Sequence, residues 1–367
     1  LQCYNIARDI YADCLLQRDY IPAPWRNHQR IKTQDFEDQT DFLTRLQRRM
    51  VEKGNVYFAE GKPGLHRLPL ILAIPFAVAG FVYSGIGEKI LKKKTPAQRV
   101  FLSFFEKLKW MFRGFFYLLE MDMKGLASFG VIASLLIGTI TFSFVSNLSM
   151  AWALLLVPWT AFLFTGLFIV SHDAIHGTLM PHFPTLNLRV GQIALFGYAG
   201  FSFRDLEAKH HQHHDHVATL KDPDFHNGKN ESFWPWYFHF MWTYRSFKPF
   251  LFFQVSFVIM FFGFGVSLTD FMVYWAVPAI LSSLQLFYFG TYLTHKKPVG
   301  DYNFYRATSN DFPGWLSLMT CYHFGYHLEH HASPQTPWWG LPALRKKMIA
   351  ASVNQTLESP SERSAHA

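Results

Sequence analysis

The run His172-Asp173-Ala174-Ile175-His176-Gly177 decides how this chain is read. It sets two imidazoles four residues apart at the end of a long apolar stretch. Two clusters follow it, His210-His211-Gln212-His213-His214 and His327-Leu328-Glu329-His330-His331. The first has the spacing H-x-x-x-H, and the other two contain H-x-x-H-H. Residues three and four apart share one face of a helix, so each cluster is expected to aim two or three imidazoles at one point. A lone histidine is usually a surface residue or a satisfied core residue. Three such clusters beside apolar spans point instead to metal.

The composition agrees with a membrane setting. Half of the 367 residues are hydrophobic, 39 are Phe, and only 16% are charged, against about 25% in soluble domains. The three cysteines (Cys3, Cys14, Cys321) are far apart and form no C-x-x-C pair, so neither a disulfide framework nor a zinc ribbon is implied. The net charge of +8 is of the kind that marks membrane-protein loops on the cytoplasmic or an equivalent face. No Arg/Lys block has the interleaving expected of a nucleic-acid binder, so nucleic acid is excluded as a partner.

Four regions follow from the patterning. Residues 1–66 are a polar extension in which Thr40–Val51 suits a helix, and no motif stands out there. Residues 67–124 hold the apolar stretch Leu68–Ile86, which contains Pro69, Pro75, Gly80 and Gly85 and fits either a span or a re-entrant segment. Lys92-Lys93-Lys94 comes next. The run after it mixes Phe101, Phe104, Phe105, Trp110, Phe115 and Phe116 with Lys107, Lys109 and Arg113, a pattern that suits a basic amphipathic helix at the headgroups or one packed on the protein itself. Residues 125–345 contain spans Gly125–Ser146 and Ser149–Val170, joined by the short turn Asn147-Leu148, and spans Phe250–Val266 and Phe271–Leu293. Val190–Phe203 is too short to cross. Residues 346–367 read as a disordered tail.

The fold expected is therefore all-α and integral to the membrane, with two transmembrane hairpins, a histidine-rich cap and one possible further span. Two hairpins put every histidine cluster on the same membrane face. Arg189, Arg204, Lys209, Lys221, Lys229, Arg245, Lys248, Lys296, Lys297 and Arg306 fall on that face as well, which makes it cytoplasmic or stromal.

Neutral imidazole binds iron, zinc, copper and nickel. His172, His176, His210, His213, His214, His327, His330 and His331 are too many for one tetrahedral zinc and suit two metal ions. Nearby carboxylates are Asp173, Asp205, Asp222, Asp224 and Glu329. Ligating histidines commonly donate their second N–H to such a group, and Asp173, Asp222, Asp224 and Glu329 are the candidates for supporting the chemistry. His211 and His216 fall off the helical pattern. His323, one turn before His327, suits either a supporting or a packing role.

These motifs resemble the membrane di-iron superfamily of desaturases, alkane hydroxylases and carotenoid-oxygenating enzymes. The finer text resembles the β-carotene ketolases: HDAIHG, KHHQHHDHVATLKDPDFH from Lys209, FYFGTYLTHKKP from Phe287, and TCYHFGYHLEHHASPQTPWWGLP from Thr320. Ala218, where many members have Gly, and Ile175, where Met is common, are mild departures. The resemblance covers roughly residues 170–345. It implies two iron ions with O2 as co-substrate. Carbon 4 of a β-ionone ring of β-carotene would be hydroxylated twice, and the resulting diol would lose water to leave a ketone. It also implies a ninth metal ligand, His295, at the exit of the last span, and a separate electron donor of ferredoxin type. The setting it suggests is a bacterial inner membrane or a plastid or ER membrane. The rival readings are a carotenoid hydroxylase, a fatty-acyl desaturase and a metal transporter. The transporter is disfavoured because transport sites lie near the midplane, whereas these histidines sit at span ends.

Overall fold

A computed structural model describes residues 1–26, 40–93, 99–146, 148–296 and 304–358. His28, Lys94, Asn147, Lys297, His366 and the end of the expected tail lie outside the described residues. Among the described residues all regular structure is helical. The chain divides into two compact units, Leu1–Met123 and Lys124–Ala367.

The first unit contains α1 (Gln2–Leu15), α2 (Thr40–Gly61) and α3 (Leu70–Lys92). The helix expected over Thr40–Val51 exists and runs ten residues further, to Gly61. Leu43, Leu46 and Met50, spaced three and four apart, fall on one face of α2. They pack with Tyr4, Ala7 and Ile10 of α1 and with Ile86 and Ile90 of α3. Inside this core the Gln47 amide donates to the Ala7 carbonyl at 2.8 Å, which satisfies a polar group that burial would otherwise penalise. The apolar stretch read as span or re-entrant segment is one unbroken helix of 23 residues with Pro75 inside it, long enough to cross a bilayer.

The boundary expected at residue 125 is not a break in the backbone, although the division into two compact units falls beside it. A single helix, α4 (Phe104–Val145), runs for 42 residues through the basic-aromatic segment and the span. Gly125 does not break it, because one glycine inside a helix costs only about 1 kcal/mol. What Gly125 provides is space. A Cβ placed there would lie 1.8 Å from the Leu179 carbonyl oxygen, so only glycine lets the helix come this close to the chain after the next span.

The second unit continues with α5 (Ala153–Ile175), α6 (Pro184–Ala199), α7 (Phe203–His216), α8 (Phe233–Thr243), α9 (Phe247–Phe264), α10 (Leu268–His295), α11 (Gly314–Cys321), α12 (His327–Ala332) and α13 (Leu341–Glu358). Its core joins Leu163, Phe164, Leu167 and Val170 of α5 to Val190, Ala194, Leu195 and Tyr198 of α6. The short apolar stretch is thus a buried helix. It starts earlier than the hydrophobic run because Pro184 is favoured in a first helical turn, and it ends at Gly200 in the left-handed region, φ 71°. Between α5 and α10, Thr165 Oγ lies 2.9 Å from Ser282 Oγ and donates to Gln285 at 3.0 Å. The segment read as a disordered tail begins inside α13, which continues to Glu358. The residues Lys346–Leu357 include several good helix formers.

Among the described residues, five helices are apolar and long enough to cross a membrane: Leu70–Lys92, Phe104–Val145, Met150–Ile175, Phe247–Phe264 and Leu268–His295. They mark an integral membrane protein.

Candidate metal centre

Four short pieces of backbone bring the histidines together. His172 closes the last turn of α5, and His176 lies one turn on, just past the helix end. α7 presents His210, His213 and His214, α12 presents His327, His330 and His331, and α10 ends on His295. A six-residue π stretch, Phe287–Tyr292, immediately precedes that end. π turns are rare and often occur at functional sites.

The nitrogens converge in two groups. His172, His176, His210 and His330 form one, and His213, His295, His327 and His331 form the other; in each group the ligand atoms lie within 4.8 Å of one another. His214 lies between the groups. Its Nε2 is 3.1 Å from His210 Nε2 and 3.0 Å from His330 Nε2, and its ring packs on His331. All nine expected nitrogen donors are therefore present in one cluster. The expectation that each motif aims at one point is corrected, because α7 and α12 each serve both groups. Successive helical residues are rotated by about 100°. His327 and His331, four apart, stay together, while His330 turns to the other group. His213 likewise departs from His210 and His214.

The donor set suits a bound cation. His176 Nε2 faces His210 Nε2 at 2.7 Å, His331 Nε2 faces His327 Nε2 at 3.0 Å, and His213 Nε2 faces His331 Nε2 at 3.2 Å. Lone pairs pointed at one another need a proton or a metal between them. Nε2 of His172 and Nδ1 of His327 are buried without a hydrogen-bond partner, an arrangement costly for an apo protein. Burial and neighbouring imidazoles push His176 down to about 3 and His214 to about 2. Burial and crowding likewise hold His210, His327, His330 and His331 well below the ordinary histidine value. Neutral imidazole is the form that ligates metal.

His213 differs. Burial lowers its pKa, but Asp224 and Asp222 outweigh burial and leave it above the ordinary value. Asp222 takes the Nδ1–H of His213 at 2.9 Å, which directs Nε2 to the second group. The same carboxylate accepts the backbone N–H of Ala218 at 2.9 Å and of Asp224 at 2.8 Å, so the loop after α7 is folded around it. Asp224 lies 3.8 Å from His213 Nδ1 and accepts the Tyr244 hydroxyl. Asp173 lies 3.2 Å from His172 Nδ1 and accepts the Trp338 backbone N–H at 2.9 Å. Glu329 touches no histidine ring among these contacts. It pairs with Arg345 at 2.8 Å and accepts from Ser309. Asp205 is exposed and pairs with Lys248.

Ala218, one of the two departures noted in the sequence, stands at φ 54°. The left-handed region costs a residue with a Cβ about 1–2 kcal/mol. Ala218→Gly is therefore expected to stabilise the protein by about 0.5–1 kcal/mol, once the extra freedom of glycine in the unfolded chain is subtracted. Thermal unfolding in detergent should move up by about 1–2 °C, and an unchanged or lower midpoint would contradict the strain.

His323 belongs to neither group. It stacks on Tyr326 and Trp338 in a packing position. His211 is exposed and His182 is buried away from both groups.

An apolar cavity of about 200 Å³ ends against the first group. His172 and His210 line it together with Phe168, Ile175, Leu195 and Phe324. No run of residues announces this cavity, because its walls come from segments far apart in the chain.

The sequence is matched by known proteins. A fatty acid desaturase family model matches residues 147–255 and 242–357, more than half of the 367 residues, and the chain belongs to that family. Within it, the relatives are β-carotene ketolases. The chain is 42% identical over 199 residues to the β-carotene ketolase of Paracoccus sp. (strain PC1), covering 53% of this chain and 79% of that one. It is 41% identical over 192 residues to the β-carotene ketolase of Haematococcus lacustris, covering 50% and 59%. Residues 1–106 match a different family model, squalene/phytoene synthase. There the chain is 36% identical over 91 residues to the 15-cis-phytoene synthase of Pantoea ananas, covering 24% of this chain and 29% of that one. No motif stands out in residues 1–66 of that region. No solved structure matches.

Proposed function

We propose that the chain is an O2-dependent oxygenase that converts the carbon-4 methylene of a β-ionone ring of β-carotene to a ketone. The observation that carries this reading is the imidazole cluster whose first group, through His172 and His210, closes one end of an apolar cavity. His172, His176, His210, His214 and His330 would hold one iron ion, and His213, His295, His327 and His331 the other. Bound there, two irons would supply O2 activation. Each hydroxylation takes one O2, two electrons and two protons, inserts one oxygen and releases one water. After the second, the geminal diol loses water to leave the ketone. The chain's own part is to bind, orient and exclude water. Phe168, Ile175, Leu195 and Phe324 give the ring an apolar seat beside His172 and His210. Asp222 fixes the tautomer and direction of His213, and Asp173 does so for His172. Electrons come in this reading from a separate protein of ferredoxin type. The Lys/Arg bias of the loops supports a cytoplasmic or stromal histidine face.

The reading rests on the second unit. The first unit we take to be related to squalene/phytoene synthases, on the family match over residues 1–106.

Cells that make β-carotene and express the chain are expected to accumulate echinenone and canthaxanthin, seen by pigment chromatography. Hydroxylated carotenoids alone would identify a hydroxylase, and altered acyl chains alone a desaturase; either result overturns the ketolase reading.

A further inference from the structure

The cavity is small for its proposed guest. About 200 Å³ is below the ~300–1,000 Å³ typical of pockets for drug-sized ligands, so it can seat one ring end of a long polyene while the rest stays outside. Where the rest lies depends on where the cavity opens. Among the lining residues, Met241 and Ile280 are the exposed ones, at 37% and 55%.

Both belong to surfaces built for lipid. Ile280 stands in α10, twelve residues from its start at Leu268 and fifteen from its end at His295, near the middle of an apolar span. Phe253 of α9 also lines the cavity, and it stands eleven residues before the helix end at Phe264. α9 and α10 run antiparallel, as the ring contacts Phe257–Phe271 and Phe252–Trp275 show. Phe253 and Ile280 therefore both stand more than ten residues from the turn that joins the two helices, within the apolar length of the hairpin. No residue of α9 is buried within the protein, and apart from Lys248 and Gln254 its exposed side chains are aliphatic and aromatic. Met241 shares the exposed face of α8 with Trp234, Phe238 and Trp242, which follow the i, i+4, i+7, i+8 spacing of one helical stripe. The opposite face of α8 packs Trp236 and Tyr237 inward. A short helix with aromatic residues on its outer stripe suits the lipid–water boundary.

The geometry points to a sideways entrance: the cavity is loaded from the hydrocarbon layer through the opening between α8, α9 and α10 that Met241, Phe253 and Ile280 border. The polyene beyond the seated ring stays in the bilayer. This inference rests on the carotenoid reading for its guest and on the lining residues for its route. It implies that the far end of the substrate meets lipid and is not measured by the protein.

The test uses the full chain in liposomes loaded with β-carotene. Cys3→Ser with Ile280→Cys leaves one accessible thiol, because Cys14 and Cys321 are buried. A bulky, membrane-permeant maleimide on the thiol introduced at position 280 is expected to slow both carotenoid uptake and turnover by about tenfold or more. Uptake is followed by the absorption shift of the bound polyene, so it is read in metal-free protein too. Phe262→Cys, at an 81% exposed position of α9 that does not line the cavity, should be unaffected by the same label. Met241→Cys repeats the test if the Ile280→Cys variant does not fold. Uptake at the unlabelled rate in protein carrying the label at position 280 or 241 overturns the sideways entrance. Uptake that the label blocks, in a protein that forms no ketone, upholds the entrance and counts against the ketolase reading alone.

Discussion

His295→Ala is expected to bring ketone formation to background and to lower bound iron from two ions toward one per chain. Of the nine donors His295 is the one that lies in no recognisable motif, and yet it is buried in the second group among His213, His327 and His331. Its ring meets His327 edge-on at 4.8 Å and His213 at 5.3 Å between centroids. Removing the imidazole would leave the second group with three donors and an apolar gap, and a metal held by four neutral ligands loses much of its affinity when one is removed. Loss of a single supporting partner alone commonly costs about 10–100-fold in metal affinity or activity, and a direct ligand costs more. His211→Ala is the control. That residue lies on α7 between two donors, but it is exposed and belongs to neither group. It should keep both iron content and activity. A His295→Ala protein with two irons and full turnover would show that the second group closes without this residue.

How much of this centre the sequence discloses depends on the range of the interactions involved. The motifs His172/His176, His210–His214 and His327–His331 are local, set by helical spacing, and eight donors can be read from them. Helical rotation separates His330 from His327 and His331 within the motif, but which group each then joins is not local. That His330 joins His172 while His331 joins His213 depends on how α12 lies against α5 and α7, which no spacing within the motif specifies. His295 was reachable through its place at a span exit and its family resemblance, not through its neighbours in sequence. The spans were legible from hydropathy, because lipid imposes length and composition directly. The join within α4 was not, because the change from basic-aromatic to apolar at residue 125 alters what the helix faces without altering the backbone. In residues 1–66 the helical spacing of Leu43, Leu46 and Met50 was readable, but their relation to a synthase family was not expressed in any short run.

Arg345→Ala is expected to lower stability by about 3–5 kcal/mol, a fall on the order of 10 °C in thermal unfolding. α12 has six residues, well below the length at which a helix is stable on its own, and it must hold three imidazoles for two centres. Contacts from outside hold it instead. Leu328 N–H donates to Ser309 Oγ at 3.1 Å, and Ser309 donates in turn to Glu329. Asn310 N–H donates to the Gly325 carbonyl at 2.8 Å, and the Asn310 side chain donates to the Phe289 carbonyl of α10 at 3.0 Å. Arg345 of α13 completes the set. It reaches Glu329 at 2.8 Å and Asp311 at 3.0 Å and lies over the Tyr326 ring. Glu329 is 2% exposed. Without the guanidinium its carboxylate would be a buried charge with one hydroxyl donor, which costs far more than the ion pair itself contributes. The Asp311 contact is exposed and adds little. The double variant Arg345→Ala with Glu329→Gln removes the stranded charge and is therefore expected to recover more than half of the lost stability, along with iron retention under a chelator. A double variant as unstable as the single one would mean that Arg345 acts through packing on Tyr326, and the ion pair would then not be what holds the third histidine motif in place.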